Sequence, residues 1–236
     1  MVATLRGRFV LAICTLQLPA HLAAQSTTPA PLEVKDGITV ASAALIWAIP
    51  TTLWWHNDLP SCAPCDPAGV PFFDRWAIHQ PEVVLSRASD ATLIGVALVG
   101  WIDLAGEGRA GQSTIVASIE SALWAKAIAH LAKGAIGRKR PVLYTEIAPE
   151  AADVIRNQRS LPSGHTSTAF ALATSYWLSR RKLTKDDKPW LRWALLAGAA
   201  GVGVLRVAAG KHHPSDVLIG AGVGVASAVV VHEIKF

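Results

Sequence analysis

Charge is what this sequence has least of. Asp, Glu, Lys and Arg make up 17% of its 236 residues, where a soluble domain carries about 25%. There are too few charged side chains to cover a water-facing surface, and a soluble alanine-rich helical protein is the weaker alternative. Tyrosine is nearly absent too, with two residues against nine tryptophans. Indole rings favour the headgroup level of a bilayer, so both shortages lead away from water and towards lipid. Cysteines number three, and a zinc site on Cys62 and Cys65 would need two further ligands at matching spacing. His56 and His79 are too loosely placed to supply them, so no metal is expected. No thioredoxin-like pattern surrounds the C-A-P-C segment. A small disulfide between Cys62 and Cys65 in an oxidising compartment is expected, with a free reactive pair as the alternative. Strand-like alternation is missing, which leaves an all-α chain of one domain. The formal charge is +5, yet no basic run is interleaved with aromatics, so nucleic acid is not an expected partner.

What is present is a series of apolar segments. Residues 1–25 read as an export signal, with Arg6 and Arg8 ahead of an apolar run and small residues at Ala20, Ala23 and Ala24. Leu22 spoils a cut after Ala24, and Ile13 weakens a lipoprotein reading at Cys14. Residues 26–37 form a linker, and 38–236 a helical membrane domain. Within it Ile38–Trp55, Ala91–Ala105, Thr114–Leu131, Thr166–Ser179, Leu191–Ala209 and Val217–Val231 are apolar helical stretches. A six-helix transmembrane bundle follows. Gly220 and Gly224 form G-x-x-x-G, a spacing that lets membrane helices approach closely, or that an apolar helix merely tolerates.

Arg180, Arg181, Lys182, Lys185, Lys188 and Arg192 crowd one short connection, which places it in the cytoplasm. Alternation then puts residues 134–165, 210–216 and the two cysteines on the opposite side, the periplasmic side of a bacterial inner membrane. Cleavage of residues 1–24 would invert this for six crossings. The third segment, with Glu120, Lys126 and His130, is the candidate not to cross.

Three clusters carry chemistry. Lys133 and Arg140 are seven residues apart, about two helical turns, and are expected to share a face. Ser163 and Gly164 open a helix, whose free N–H groups and dipole attract an anion. Arg206 lies near a helix end, where its charge calls for an anion or water. Beside these cations His165 and His212 offer a proton donor and a nucleophile, and Asp216 can fix a ring tautomer. Taken singly, each has a plainer reading: a cytoplasmic flank, a serine cap, an interfacial histidine, an N-cap.

Together they resemble the three-part signature of the PAP2 (type 2 phosphatidic acid phosphatase) superfamily: K-x6-R-P, then P-S-G-H, then S-R-x5-H-x3-D. Lys133, Arg140 and Pro141 match the first part, Pro162 to His165 the second, and Arg206, His212 and Asp216 the third. Leu205 departs from it, standing where the family has serine. The resemblance implies the helical fold shared with vanadate-dependent haloperoxidases and hydrolysis of a lipid phosphate without metal or other cofactor. It implies that His212 attacks phosphorus, Asp216 holds its ring, and His165 protonates the leaving group and later activates water. Lys133, Arg140, Ser163, Gly164 and Arg206 would bind the phosphoryl oxygens. An exported soluble acid phosphatase, a haloperoxidase relative and a non-catalytic phospholipid-binding protein are the alternatives.

Overall fold

The computed structural model describes residues 34–48, 62–183 and 188–236. Its elements are α1 (Val34–Ala48), α2 (Phe72–Arg75), α3 (Val83–Ala105), α4 (Gly108–Ile136), α5 (Ala148–Ala151), α6 (Gly164–Lys182), α7 (Pro189–Ala208) and α8 (Pro214–Lys235), with 3-10 turns at Pro67–Gly69, Pro141–Tyr144 and Ile155–Gln158. No strand occurs among the described residues. The six long helices fall on the six apolar segments, so the all-α bundle expected from the sequence is the one observed. The signal-like segment lies outside the described residues. Helix α1 begins at Val34, and residues 26–33 of the expected linker lie outside the described residues.

The axis of the bundle is α6, which packs against α8, α4, α7 and α3. It is also the least apolar of the long helices. Among the described residues, four segments are long and apolar enough to cross a membrane: α3, α4 with its following turn, α7 and α8. The third apolar segment, the candidate not to cross, is among them by length and composition. The Glu120 carboxylate of α4 is buried, accepts a 2.6 Å hydrogen bond from Thr39 Oγ1 and lies 3.0 Å from Lys235 Nζ. Its charge is therefore met inside the protein rather than presented to lipid. The low hydropathy of α6 has the same cause, since Thr166, Ser167, Ser175 and Ser179 are all fully buried and covered by neighbouring helices.

Small residues fill the interior and large ones the outside. Ala125, Ala169, Ala173 and Ala199 are fully buried, whereas Val84, Ile94, Ile102, Leu218 and Ile234 are all more than 55% exposed. An apolar exterior of this kind suits a hydrocarbon surrounding, and small interior residues let helix backbones approach. The approach is close between α6 and α8. A Cβ on Gly224 would lie 2.2 Å from Ser167 O, and one on Gly220 2.7 Å from Ser163 O. Gly224→Ala should therefore cost about 1–3 kcal/mol through overpacking against backbone. Gly222→Ala, which meets open space, is the control. Thermal unfolding in detergent checks this, and equal midpoints for the two variants would show that close packing at Gly224 does not matter.

At the end of α6 the basic cluster is partly consumed by the protein itself. Arg180 is 1% exposed and pairs with Asp103 and Glu107, and Lys188 Nζ lies 2.9 Å from Asp103. Arg192 sits over the Trp177 ring at 4.9 Å. Arg181 and Lys182 remain exposed.

Candidate active site

The site forms at the opposite end of α6, where the three sequence clusters converge. Helix α4 stops at Gly137, whose φ of 61° is a left-handed conformation natural to glycine, and whose N–H bonds Lys133 O. Lys133 and Arg140 therefore do not share a helix face, contrary to the sequence expectation. Lys133 belongs to the last turn of α4, while Arg140 follows in extended backbone. Two backbone bonds fold the segment back: Arg140 N donates to Asn157 O at 2.7 Å, and Ser160 N to Arg138 O at 2.7 Å. Lys133 Nζ lies 3.9 Å from where a Gly164 Cβ would stand, within electrostatic reach of Arg140, Arg206 and Asp216.

Ser163 precedes α6 and is fully buried. Its N–H donates to Asp216 O at 2.9 Å, and its hydroxyl accepts from Thr166 Oγ1 at 3.0 Å. The hydroxyl proton of Ser163 and the first-turn N–H groups, which that side chain does not cap, are left to meet an anion. His165 Nε2 lies 3.0 Å from Asp90 Oδ1 on α3. Arg206 reaches the same carboxylate at 3.7 Å and donates to Ser86 Oγ and Ser89 Oγ at 3.1 and 3.3 Å. Among the described residues, Arg140 Nε and Arg206 Nε are buried without a hydrogen-bond partner. Leaving such groups unmet costs about 1–3 kcal/mol each.

His212 is 1% exposed. Its Nδ1 faces Asp216 Oδ2 at 3.5 Å and Ser160 Oγ at 3.4 Å. These are long contacts, of the kind that tighten when substrate engages. Asp216 is held far more firmly than it holds the ring. Its Oδ2 accepts from Ser160 Oγ at 2.5 Å and from His213 N at 2.9 Å, and its Oδ1 from Arg138 Nη1 at 2.7 Å. With Nδ1 turned to the carboxylate, Nε2 is the free ring nitrogen. Burial holds His212 well below the usual histidine range; Asp216 opposes this, and Lys133 and Arg140 reinforce it. The ring is thus a neutral base at neutral pH.

Among the polar residues of this site not read from the sequence are Asp74, Asp90, Arg138 and Ser160. Asp74, on the short α2, is fully buried. It accepts from Arg138 Nη2 at 2.7 Å, from Ser215 N at 2.9 Å and from Ser215 Oγ at 2.7 Å. Burial alone would push the Asp74 carboxyl up, but the bonds from Ser215 and Arg138 outweigh it and hold the pKa below its usual value. Arg138 therefore bridges two buried carboxylates, Asp74 and Asp216. His213, given no role by the motif, is fully buried, and its N–H is one of the bonds to Asp216. Cys62 and Cys65 form a disulfide with S–S 2.09 Å. Cys65 N donates to Leu143 O at 2.8 Å, which sets the bridge on the same end of the bundle as the site. No group of three or more His, Cys, Asp or Glu side chains able to hold a metal ion occurs among the described residues.

A cavity of about 430 Å³ opens beyond this cluster, with Arg140 and Arg206 in its wall. A helical bundle with small interior residues, ending in a cationic pocket beside a buried His–Asp pair, defines a membrane-type protein equipped for oxyanion chemistry. The sequence model of the PAP2 superfamily matches residues 114–236, and the chain belongs to that superfamily. It is 42% identical over 66 residues, 28% of this chain and 14% of the relative, to the lipid A 1-phosphatase of Porphyromonas gingivalis. Over 105 residues, 41% of this chain and 40% of the relative, it is 34% identical to the lipid A 1-phosphatase of Rhizobium etli. The matches thus span well under two thirds of these curated relatives. A solved structure, that of Aquifex aeolicus LpxE, aligns with a TM-score of 0.45 and 22% identity, covering 68% of this chain and 92% of the other.

Proposed function

We propose that this protein is a membrane phosphatase that hydrolyses a lipid phosphate monoester or diphosphate through a phosphohistidine on His212, without a metal ion. The observation that carries this reading is the buried His212–Asp216 pair set against a cluster of cations with two unmet guanidinium N–H groups. His212 Nε2 attacks phosphorus as the ester P–O bond breaks, and the leaving alkoxide takes a proton from His165. Burial and then the charges of Arg206 and Lys126 disfavour protonated His165, and Asp90 opposes them; a bound phosphate dianion acts with Asp90. Water then gives its proton back to His165 and attacks the phosphorus, releasing phosphate and restoring His212. Lys133, Arg140 and Arg206, with the Ser163 hydroxyl and the N–H groups at Gly164, meet the charge that builds on the phosphoryl oxygens.

Two relatives named lipid A 1-phosphatases support a phosphorylated lipid as the substrate class. Phosphatidic acid, phosphatidylglycerophosphate and isoprenoid diphosphates are its first candidates. Four helices of spanning length and composition among the described residues favour the membrane reading over a soluble exported phosphatase. The exposed Arg181 and Lys182 at one end, and the disulfide at the other, support a site facing the periplasm of a bacterial inner membrane.

The test is phosphate release by detergent-purified protein from a panel of lipid phosphates, with EDTA present, across pH 5–8. Release should resist EDTA. Because His212 stays neutral well below pH 6.5, its protonation should not limit kcat/KM between pH 6.5 and 7.5. Loss of activity with EDTA that added metal restores would overturn the metal-independent reading. An acid limb at or above pH 6.5 that tracks His212 would overturn the assignment of a neutral nucleophile.

A further inference from the structure

The cavity continues past the phosphoryl pocket. Its wall contains Arg140 and Arg206 but neither histidine, and it adds two further cations, Arg156 and Lys211. Each extra cation is tied by backbone to one of the pocket arginines. Arg140 N donates to Asn157 O at 2.7 Å, which fixes the 155–158 turn carrying Arg156 against Arg140. On the other wall, Gly210 leaves α7 at a φ of 62°, and Lys211 N donates to Arg206 O at 3.1 Å. The turn therefore sets Lys211 beside Arg206. Four cations share this space, with Glu150 the acidic residue in the lining.

Such crowding is unfavourable in itself. Burial, and then the charges of Arg140, Arg206 and Arg156, all push the Lys211 ammonium below its usual range. A phosphate monoester dianion already has Lys133, Arg140 and Arg206 to meet it. A volume of about 430 Å³ also falls in the range of sites that enclose a whole small ligand, about 300–1,000 Å³, rather than one phosphoryl group.

Resting on the phosphatase reading, we infer that Arg156 and Lys211 form a second anion subsite, so that the preferred substrate carries another anionic group next to the phosphate that is cleaved. The shared chemistry is a second phosphate. It is either the β-phosphate of a diphosphate or a separate phosphate elsewhere on the same headgroup. The subsite binds and orients; the bond that breaks remains the one in front of His212.

Three lipid substrates of matched chain length separate these sources: a monophosphate, a diphosphate, and a headgroup with two separate phosphates. For the double variant R156A/K211A, kcat/KM should fall by about tenfold or more on one doubly charged substrate, mainly through KM, and by less than about twofold on the monophosphate. Which doubly charged substrate suffers identifies the source. Equal falls on all three, or no fall on any, would overturn the proposal. A binding arm is independent of hydrolysis: inorganic diphosphate against inorganic phosphate, titrated calorimetrically into the full chain in detergent. The wild type should prefer diphosphate by about tenfold and the double variant should not. If no lipid releases phosphate but this preference is seen, the subsite stands and the phosphatase reading fails. A wild type without the preference excludes the diphosphate source, and the same result with no selective fall on the headgroup bearing two separate phosphates overturns the subsite.

Discussion

Replacing His212 with alanine should abolish lipid phosphate hydrolysis, with a fall of about 10⁴-fold or more, the scale on which enzymes lose their nucleophile. The expectation follows from placement. The His212 ring is 1% exposed, its Nδ1 is turned to Asp216 and Ser160, and Nε2 alone is left to attack. The other imidazole, His165, is engaged with Asp90 and suits proton transfer. His165→Ala should therefore behave differently in kind. It should cost about 10²–10⁴-fold on lipid substrates, but much less on an aryl phosphate, whose leaving group needs no proton. Because water attack then lacks its base, the phosphoenzyme should accumulate. Quenching at alkaline pH, where phosphohistidine survives, and counting label on the protein measures both effects. Label should be absent in His212→Ala and enriched in His165→Ala with the aryl substrate. Label persisting in His212→Ala would place the nucleophile elsewhere.

The motif residues are legible in the sequence because each cluster is local. Spacings of a few positions survive whatever the fold does, so Lys133, Arg140, Ser163, His165, Arg206, His212 and Asp216 all stand out from their order along the chain. Their arrangement is less legible. The spacing of Lys133 and Arg140 suggests one helix face, but Gly137 ends α4 between them, and a glycine in an apolar segment does not announce whether it caps or packs. The residues around Asp216 are invisible for a different reason. Arg138 meets Asp74 across 64 positions and Ser160 meets Asp216 across 56, and no periodicity links such partners. Which segments meet lipid is hard to read from sequence on the same ground. Hydropathy records what a segment would present to lipid, while α6 presents little because other helices surround it, and Glu120 is met by Thr39 and Lys235.

Arg138 carries the other large expected effect. Asp74 and Asp216 are both fully buried, and Arg138, 19% exposed, donates to each at 2.7 Å. Removing the guanidinium leaves two buried carboxylates without their shared cation, and breaking a buried pair in this way costs about 3–5 kcal/mol. Arg138→Ala should therefore fold poorly, which alone says little about catalysis. Arg138→Lys is the informative variant. A lysine restores a positive charge but not the planar fork that spans two acceptors, so Asp216 keeps Ser160 and His213 N and loses its anchor to α2. The variant should fold, with kcat lowered by about 10–100-fold and KM within about threefold, because the ring that Asp216 orients is misplaced while the phosphate cations are untouched. Asp74→Asn should move kcat in the same direction by less, since Ser215 N can still donate to an amide oxygen in the Oδ1 position and the Ser215 hydroxyl can turn to accept from the amide N–H. The double variant Asp74→Asn/Arg138→Lys should then cost less than the sum of the two, as partners in one network do. Detergent-solubilised thermal unfolding, run beside kcat and KM for all three, separates folding from positioning. Wild-type kcat in Arg138→Lys would reduce Arg138 to a structural clamp, whereas a kcat loss at near-wild-type stability makes it the residue through which α2 sets the angle of the nucleophile.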